Sequence, residues 1–219
     1  MHFLPILALA SAALATPIEP RQSRVGISAS EFTDGGCRDV IMIFARGSGE
    51  VGNMGTVVGP PTANGLKTRF GADRVAAQGV DYAAAISTNA LPGGTDQRSI
   101  AEMQNLIEQA ASQCPDSALV VGGYSQGAAV THRAVENLPQ ATKDQIAAAF
   151  MYGDTQNTQD NGQISNFDPA KTKIICNQGD AVCRGLLLVL PAHLDYTRRV
   201  PEMLDFLQTA LTSAGVAPA

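Results

Sequence analysis

A chain of 219 residues can bury one sizeable core, and 45% hydrophobic against 16% charged residues is a globular composition. A formal net charge of −5 offers phosphates no basic face, which argues against nucleic acid as a partner. No repeat, low-complexity tract, second domain or N-x-[ST] sequon occurs, so a single domain without N-linked glycans is expected.

Residues 3–15 are nearly all apolar and end in Ala13-Leu14-Ala15, a small-x-small cleavage pattern. The run is too short to cross a bilayer and no second long run follows. The reading is a signal peptide over 1–15, a flexible lead-in or pro-segment over 16–30, and a catalytic domain over 31–219. The protein is then secreted, with no transmembrane segment, and a monomer is expected. The four cysteines all lie beyond the signal, and an even count in an exported chain reads as two disulfides. Cys176–Cys183 is the locally easy closure, which leaves Cys37–Cys114 as the long one. The wide gaps and the lack of a C-x₂-C pair argue against a metal site.

In chain order, residues 39–45 (DVIMIFA) form an unbroken apolar run that predicts a buried strand. The Gly-rich loop 46–56 follows. It lacks the lysine of a phosphate-binding P-loop, so it reads instead as a turn presenting backbone N–H groups and Ser48. Residues 60–70 predict a short helix opened by prolines, 79–83 a strand, and 87–96 turns. Ile100, Met103, Leu106, Ile107, Ala110 and Ala111 recur at helical spacing, predicting a helix over 97–114 with one apolar face. The run 118–124 leads into Gly123-Tyr124-Ser125-Gln126-Gly127, a strand feeding a G-x-S-x-G turn and then a helix. A short helical turn and strand over 143–152, a polar surface excursion over 155–170, a strand over 173–176, the aliphatic run 186–190 and an amphipathic helix over 201–211 complete the chain. This alternation predicts an α/β fold: a three-layer sandwich around a mostly parallel sheet.

The serine of such a turn is held where a carbonyl can reach it, but its hydroxyl needs a base. The chain has three histidines. His2 leaves with the signal, and His132 lies two turns along the helix after the elbow, where a helix-surface position is expected. His193 remains as the base. On this topology the orienting acid falls between serine and histidine. The choices are Asp144, Asp154, Asp160, Asp168, Asp180 and Glu136. Asp154 and Asp180 follow the carboxyl ends of strands, where such sites form, and Asp180 lies nearer the histidine in a loop that the short disulfide would stiffen. The backbone N–H of Gln126 and a donor at Ser48 complete the set as the oxyanion hole. No cofactor or metal is called for.

Gly-Tyr-Ser-Gln-Gly-Ala at 123–128, Cys-Asn-Gln-Gly-Asp-Ala-Val-Cys at 176–183, Pro-Ala-His-Leu at 191–194, and Arg-Gly-Ser with Gly-Asn-Met-Gly over 46–55 together resemble the fungal cutinases, α/β-hydrolases without a full lid. The likeness covers about residues 31–211. It implies a Ser125–His193–Asp180 triad, Ser48 and Gln126 at the oxyanion hole, the disulfide pairing given above, and hydrolysis of cutin polyester or lipid esters. The related acetylxylan esterases share Gly-Tyr-Ser-Gln-Gly, so a sugar ester or a small lipase substrate stays open, as does an inactive surface-binding protein on the same fold. Where the family often carries Ser-Thr-Glu or Thr-Thr-Glu, this chain has Ser48-Gly49-Glu50, and the glycine is expected to loosen that loop. Leu186, Leu187, Leu188, Val189 and Leu190 predict an apolar rim for an acyl chain, against the alternative of packed core.

Overall fold

The computed structural model describes residues 24–219, so the expected signal and residues 16–23 of the lead-in lie outside the described residues. The fold is built on β1 (Val40–Ala45), every residue of which is buried. A strand covered on both faces needs apolar side chains at every position, which is what its unbroken run supplies. β1 pairs with β2 (Val75–Gly79) on one side and β3 (Ala118–Tyr124) on the other. β4 (Ile146–Tyr152) and β5 (Thr172–Ile175) extend the sheet. The order is β2-β1-β3-β4-β5 and every pair is parallel.

Alternate side chains enter two cores. Met42, Phe44, Val120 and Phe150 pack with Leu66 and Phe70 of α2 (Gly59–Phe70) and with Met203 and Leu207 of α7 (Val200–Ser213). Ile41, Ile43, Val121 and Met151 face the other way, against Met103 and Ile107 of α3 (Gln97–Gln113) and Val130 and Ala134 of α4 (Gln126–Glu136). These are the expected three layers. The predicted apolar face of α3 is the buried one, and Asp96 caps the helix by accepting from Ser99 N–H at 3.0 Å. Among the described residues the other α-helices are short: α1 (Glu31–Gly35), α5 (Gln140–Gln145) and α6 (Pro191–Leu194). Both expected disulfides, Cys37–Cys114 and Cys176–Cys183, are formed.

Three expectations need correction. The strand placed at 79–83 runs over Val75–Gly79, because Val-Ala-Ala-Gln-Gly carries almost none of the β-branched signal that marks a strand. Residues 24–30 are not a loose lead-in. Val25 and Ala29 are buried, their N–H groups donate to Asn64 Oδ1 and Asn53 Oδ1, and Ser30 bridges to Gln78 beside β2. His132 is not on the helix surface but fully buried.

Strand register aligns the carboxyl ends of the central strands. Ala45 lies opposite Gly123, Tyr124 opposite Tyr152, and Tyr152 opposite Ile175. The chain leaves β1 toward β2 on one side and returns past it to β3 on the other, so the crevice between β1 and β3 is a topological switch point. The loops after β1, β3, β4 and β5 therefore meet at one end of the sheet.

Candidate active site

Ser125 sits between the last residue of β3 and the first of α4, at φ 56° and ψ −117°. A non-glycine residue there stores about 1–3 kcal/mol of strain, held in place by the packed strand and helix around it. The flanking glycines make the turn possible. A Cβ on Gly127 would lie 1.9 Å from the Ala45 carbonyl oxygen, and one on Gly123 would lie 2.1 Å from that of Gly127. Helix, elbow and β1 thus approach more closely than any side chain permits, which leaves Ser125 partly exposed at the mouth of the crevice.

His193 Nε2 lies 2.9 Å from Ser125 Oγ, and His193 Nδ1 lies 2.8 Å from Asp180 Oδ2. Both partners of this second contact are buried. The imidazole is held at its backbone as well: Tyr124 Oη donates to the His193 carbonyl at 2.7 Å, and its ring stacks on the imidazole at 5.2 Å between centroids. Asn177 Nδ2 donates to the carbonyls of Ala192 and Asp195 on either side. Burial alone would push the Asp180 carboxyl up. The hydrogen bonds from His193 and Tyr196, the His193 charge and the Val182 N–H outweigh it and hold Asp180 below the usual carboxylate range. Asp180 is therefore ionised at neutral pH, as a partner for an imidazolium must be.

Gln126 and Ser48 sit at the start of α4 and in the loop after β1. Gln126 opens α4, and an N–H at the first helical position has no intrahelical acceptor. Ser48 Oγ accepts from Asn89 Nδ2 at 2.8 Å, which leaves its own proton free to donate. Gly49 does not leave this loop loose, because the loop is tied at several points. Glu50 Oε2 accepts from Gly47 N–H at 2.7 Å, while Oε1 accepts from the N–H groups of Thr56 and Val57 at 2.8 and 3.0 Å. Gly49 itself takes φ +73° and donates to the Ala84 carbonyl at 3.0 Å. The Gln126 side chain reaches across to the facing segment, donating to Ala85 O and Thr88 Oγ1 at 2.9 and 2.8 Å.

The chain carries the cutinase family profile over residues 36–211. It belongs to the cutinase family. A cutinase of Pyricularia oryzae is 49% identical over 199 residues, covering 91% of this chain and 93% of its own. Among solved structures, the Trichoderma reesei cutinase in complex with a phosphonate inhibitor superposes with a TM-score of 0.75 at 34% identity, covering 85% of this chain and 80% of that one. An acetylxylan esterase structure matches with a TM-score of 0.60 at 19% identity, covering 80% of this chain and 99% of that one, a likeness of fold. Cutinases are carboxylic ester hydrolases, and the chain is an enzyme of that class.

The structure brings Ser125, His193 and Asp180 into one hydrogen-bonded line, with Gln126 adjoining the serine. Leu186, Leu187, Leu188 and Val189 are each more than half exposed in an irregular segment before α6, and Leu190 is half-buried. They are neither strand nor core. Asp154, the other aspartate at a strand end, belongs elsewhere: its Oδ2 lies 2.9 Å from His132 Nε2, with both groups fully buried. His132 Nδ1 lies 3.0 Å from Asp160 Oδ2 but without hydrogen-bond alignment. Sequence reasoning missed Glu50, Asn89, Tyr124 and Tyr196 as supports. Asn177 lay inside a quoted motif without a role. Among the described residues no cluster of His, Cys, Asp or Glu is placed to hold a metal ion, and no helix is long and apolar enough to cross a membrane.

Proposed function

We propose that the chain is a secreted serine carboxylester hydrolase that cleaves the ester bonds of cutin polyester through an acyl-enzyme. The observation that carries this reading is the continuous hydrogen-bonded line from Ser125 Oγ through His193 to Asp180, ending on a strained elbow at the switch point of the sheet. His193 Nε2 takes the serine proton as Oγ attacks the ester carbonyl carbon. The oxyanion that forms is held by the Gln126 N–H and by Ser48, and Asp180 stabilises the imidazolium without taking its proton. Collapse of the tetrahedral intermediate expels the alcohol, protonated by His193. Water, deprotonated by the same nitrogen, then attacks the acyl-enzyme, and the serine leaves with that proton as the acid is released. A phosphonate copies the tetrahedral intermediate, and the complex of the Trichoderma reesei cutinase with a phosphonate inhibitor supports this chemistry.

The exposed aliphatic segment favours a greasy polymer over an acetylated sugar. Burying one such side chain against an acyl chain contributes about 1.5–3 kcal/mol, and an exposed apolar patch on a soluble protein marks an interaction surface. The apolar run at 3–15 and the two disulfides support export, and the enzyme acts as a monomer at the polymer surface. Rates on insoluble cutin, p-nitrophenyl butyrate, p-nitrophenyl palmitate and acetylated xylan, compared side by side, test the substrate. Cutin and butyrate are hydrolysed and xylan is not. Preferential release of acetate from xylan would replace the reading with an acetylxylan esterase.

A further inference from the structure

We propose that Tyr196 is a positioning residue of this reaction, donating its hydroxyl proton to the same Asp180 oxygen that faces His193 and so setting how that carboxylate holds the imidazole. The inference rests on the esterase reading above. Tyr196 is fully buried three residues beyond His193, and its hydroxyl is bonded to Asp180, while Ser125 Oγ is bonded to His193. Its hydroxyl lies 2.6 Å from Asp180 Oδ2, and since an ionised carboxylate only accepts, the phenol is the donor. The phenol oxygen in turn accepts the Asn177 N–H at 2.9 Å. Asn177 is the residue whose side chain holds the carbonyls of Ala192 and Asp195. One hydroxyl thereby joins the acid, the exit of β5 and the helix carrying the base.

The phenol proton goes to Asp180 at 2.6 Å, with the Cys183 sulfur a more distant acceptor at 3.7 Å. Burial first, and then the hydrogen bond to Asp180, push its ionisation far up, so it stays a donor throughout the working range. From β3, Tyr124 packs edge-on against the Tyr196 ring with its own hydroxyl committed to His193 O. From β4, Tyr152 packs edge-on with its hydroxyl on Thr62. Arg199 Nη1 is held by Asn177 Oδ1 at 2.9 Å. Asp180 is left with three donors: His193 Nδ1 and Tyr196 on Oδ2, and the Val182 N–H on Oδ1.

A short O–H···O⁻ bond disperses charge on Oδ2 and fixes that oxygen in line with Nδ1. Without it, the carboxylate swings more freely and attracts the imidazolium proton more strongly. Both effects reach the reaction through His193. The histidine becomes harder to deprotonate and is less well aligned on Ser125.

The test is Tyr196→Phe in the full protein, followed by kcat/KM against pH on p-nitrophenyl butyrate and by melting temperature. The expected result is a plateau about 5–30-fold lower, carried mainly by kcat, with the acid limb moved up by about half a pH unit. Tyr152→Phe removes a buried hydroxyl that does not touch Asp180, and its acid limb stays at the wild-type position. If Tyr196→Phe does not fold, 3-fluorotyrosine at position 196 keeps both hydrogen bonds with a stronger donor, and the acid limb moves down. A Tyr196→Phe protein that melts lower but keeps the wild-type limb and kcat, or a fluorotyrosine protein with an unmoved limb, overturns the inference. Labelling wild-type protein with an organophosphate separates this from failure of the esterase reading. Unlabelled Ser125 would sink the triad itself, whereas labelled Ser125 with an unmoved limb sinks only the role of Tyr196.

Discussion

Glu50→Gln keeps the side chain's shape and removes its charge where the loop after β1 is gathered. The carboxylate accepts at both oxygens, from Gly47 N–H on one and from the N–H groups of Thr56 and Val57 on the other, with the Thr56 hydroxyl at 3.2 Å. Glutamine has one acceptor oxygen. With that oxygen kept toward Thr56 and Val57, its NH₂ faces the Gly47 N–H, donor against donor, one peptide from Ser48. A hydrogen bond to a charged acceptor contributes about 1.5–3 kcal/mol, and a donor left unpaired adds about 1–3 kcal/mol to the loss. The loop lies at the surface and can relieve that clash by turning the 47–49 peptides, so most of the loss falls on the placement of Ser48. The expected result is a kcat roughly 10²-fold lower, the size of losing one oxyanion donor, with KM little changed. The melting temperature falls by only a few degrees. Steady-state rates on p-nitrophenyl butyrate and a thermal melt decide it. A Glu50→Gln protein that melts several degrees lower but keeps kcat within about twofold would refute the claim that this carboxylate holds the oxyanion donor.

Leu187→Asp places a charge on the exposed segment before His193. Rates on soluble p-nitrophenyl acetate stay near wild type, while rates on cutin fall about tenfold or more, the factor that follows from about 1.5 kcal/mol of lost apolar contact; equal losses on both, with a lower melting temperature, would mean the segment supports the core. The Cys176→Ser/Cys183→Ser double variant loses roughly 2.5 kcal/mol of loop-closure stabilisation. It also loses kcat/KM, because that loop carries Asp180, and unchanged kcat/KM in folded protein would show that the bridge does not position the acid. The depressed Asp180 carboxyl contributes stability that is complete above its unfolded value near about 4 and is lost as pH falls through the lower folded value. Acid unfolding of Asp180→Asn is therefore less steep with pH than that of wild type, measured by urea melts between about pH 5 and 2, and identical slopes would contradict the assignment.

Much of the site was legible because its residues announce themselves locally. Gly-x-Ser-x-Gly needs only the strand before it and the helix after it to become an elbow, and Asp180 was marked by two cysteines and a strand end. The β1 run and the face of α3 were equally plain, since each depends on one periodicity. The supports were not legible. Glu50, Asn89 and Tyr196 act through partners that lie far along the chain or give no pattern in sequence, and a tyrosine three residues past a histidine carries no signal of its own. His132 was misread for the same reason. A polar residue on a helix reads as exposed unless its buried partner is known, and that partner, Asp154, comes from the end of a different strand. β2 was displaced because small residues can pair in a sheet without advertising it.

The central claim is that Ser125 is a nucleophile activated by His193. Diethyl p-nitrophenyl phosphate tests it directly: attack by Oγ on phosphorus expels p-nitrophenolate and leaves a diethylphosphoryl serine that the enzyme hydrolyses only slowly. Mass spectrometry of the digested protein should find stoichiometric label on Ser125, matched by the p-nitrophenolate released and by the loss of esterase activity. His193→Ala should remain unlabelled on the same timescale while still folded. Label on another residue, no label on a folded and ester-cleaving protein, or labelling of Ser125 at an unchanged rate without His193 would contradict the account.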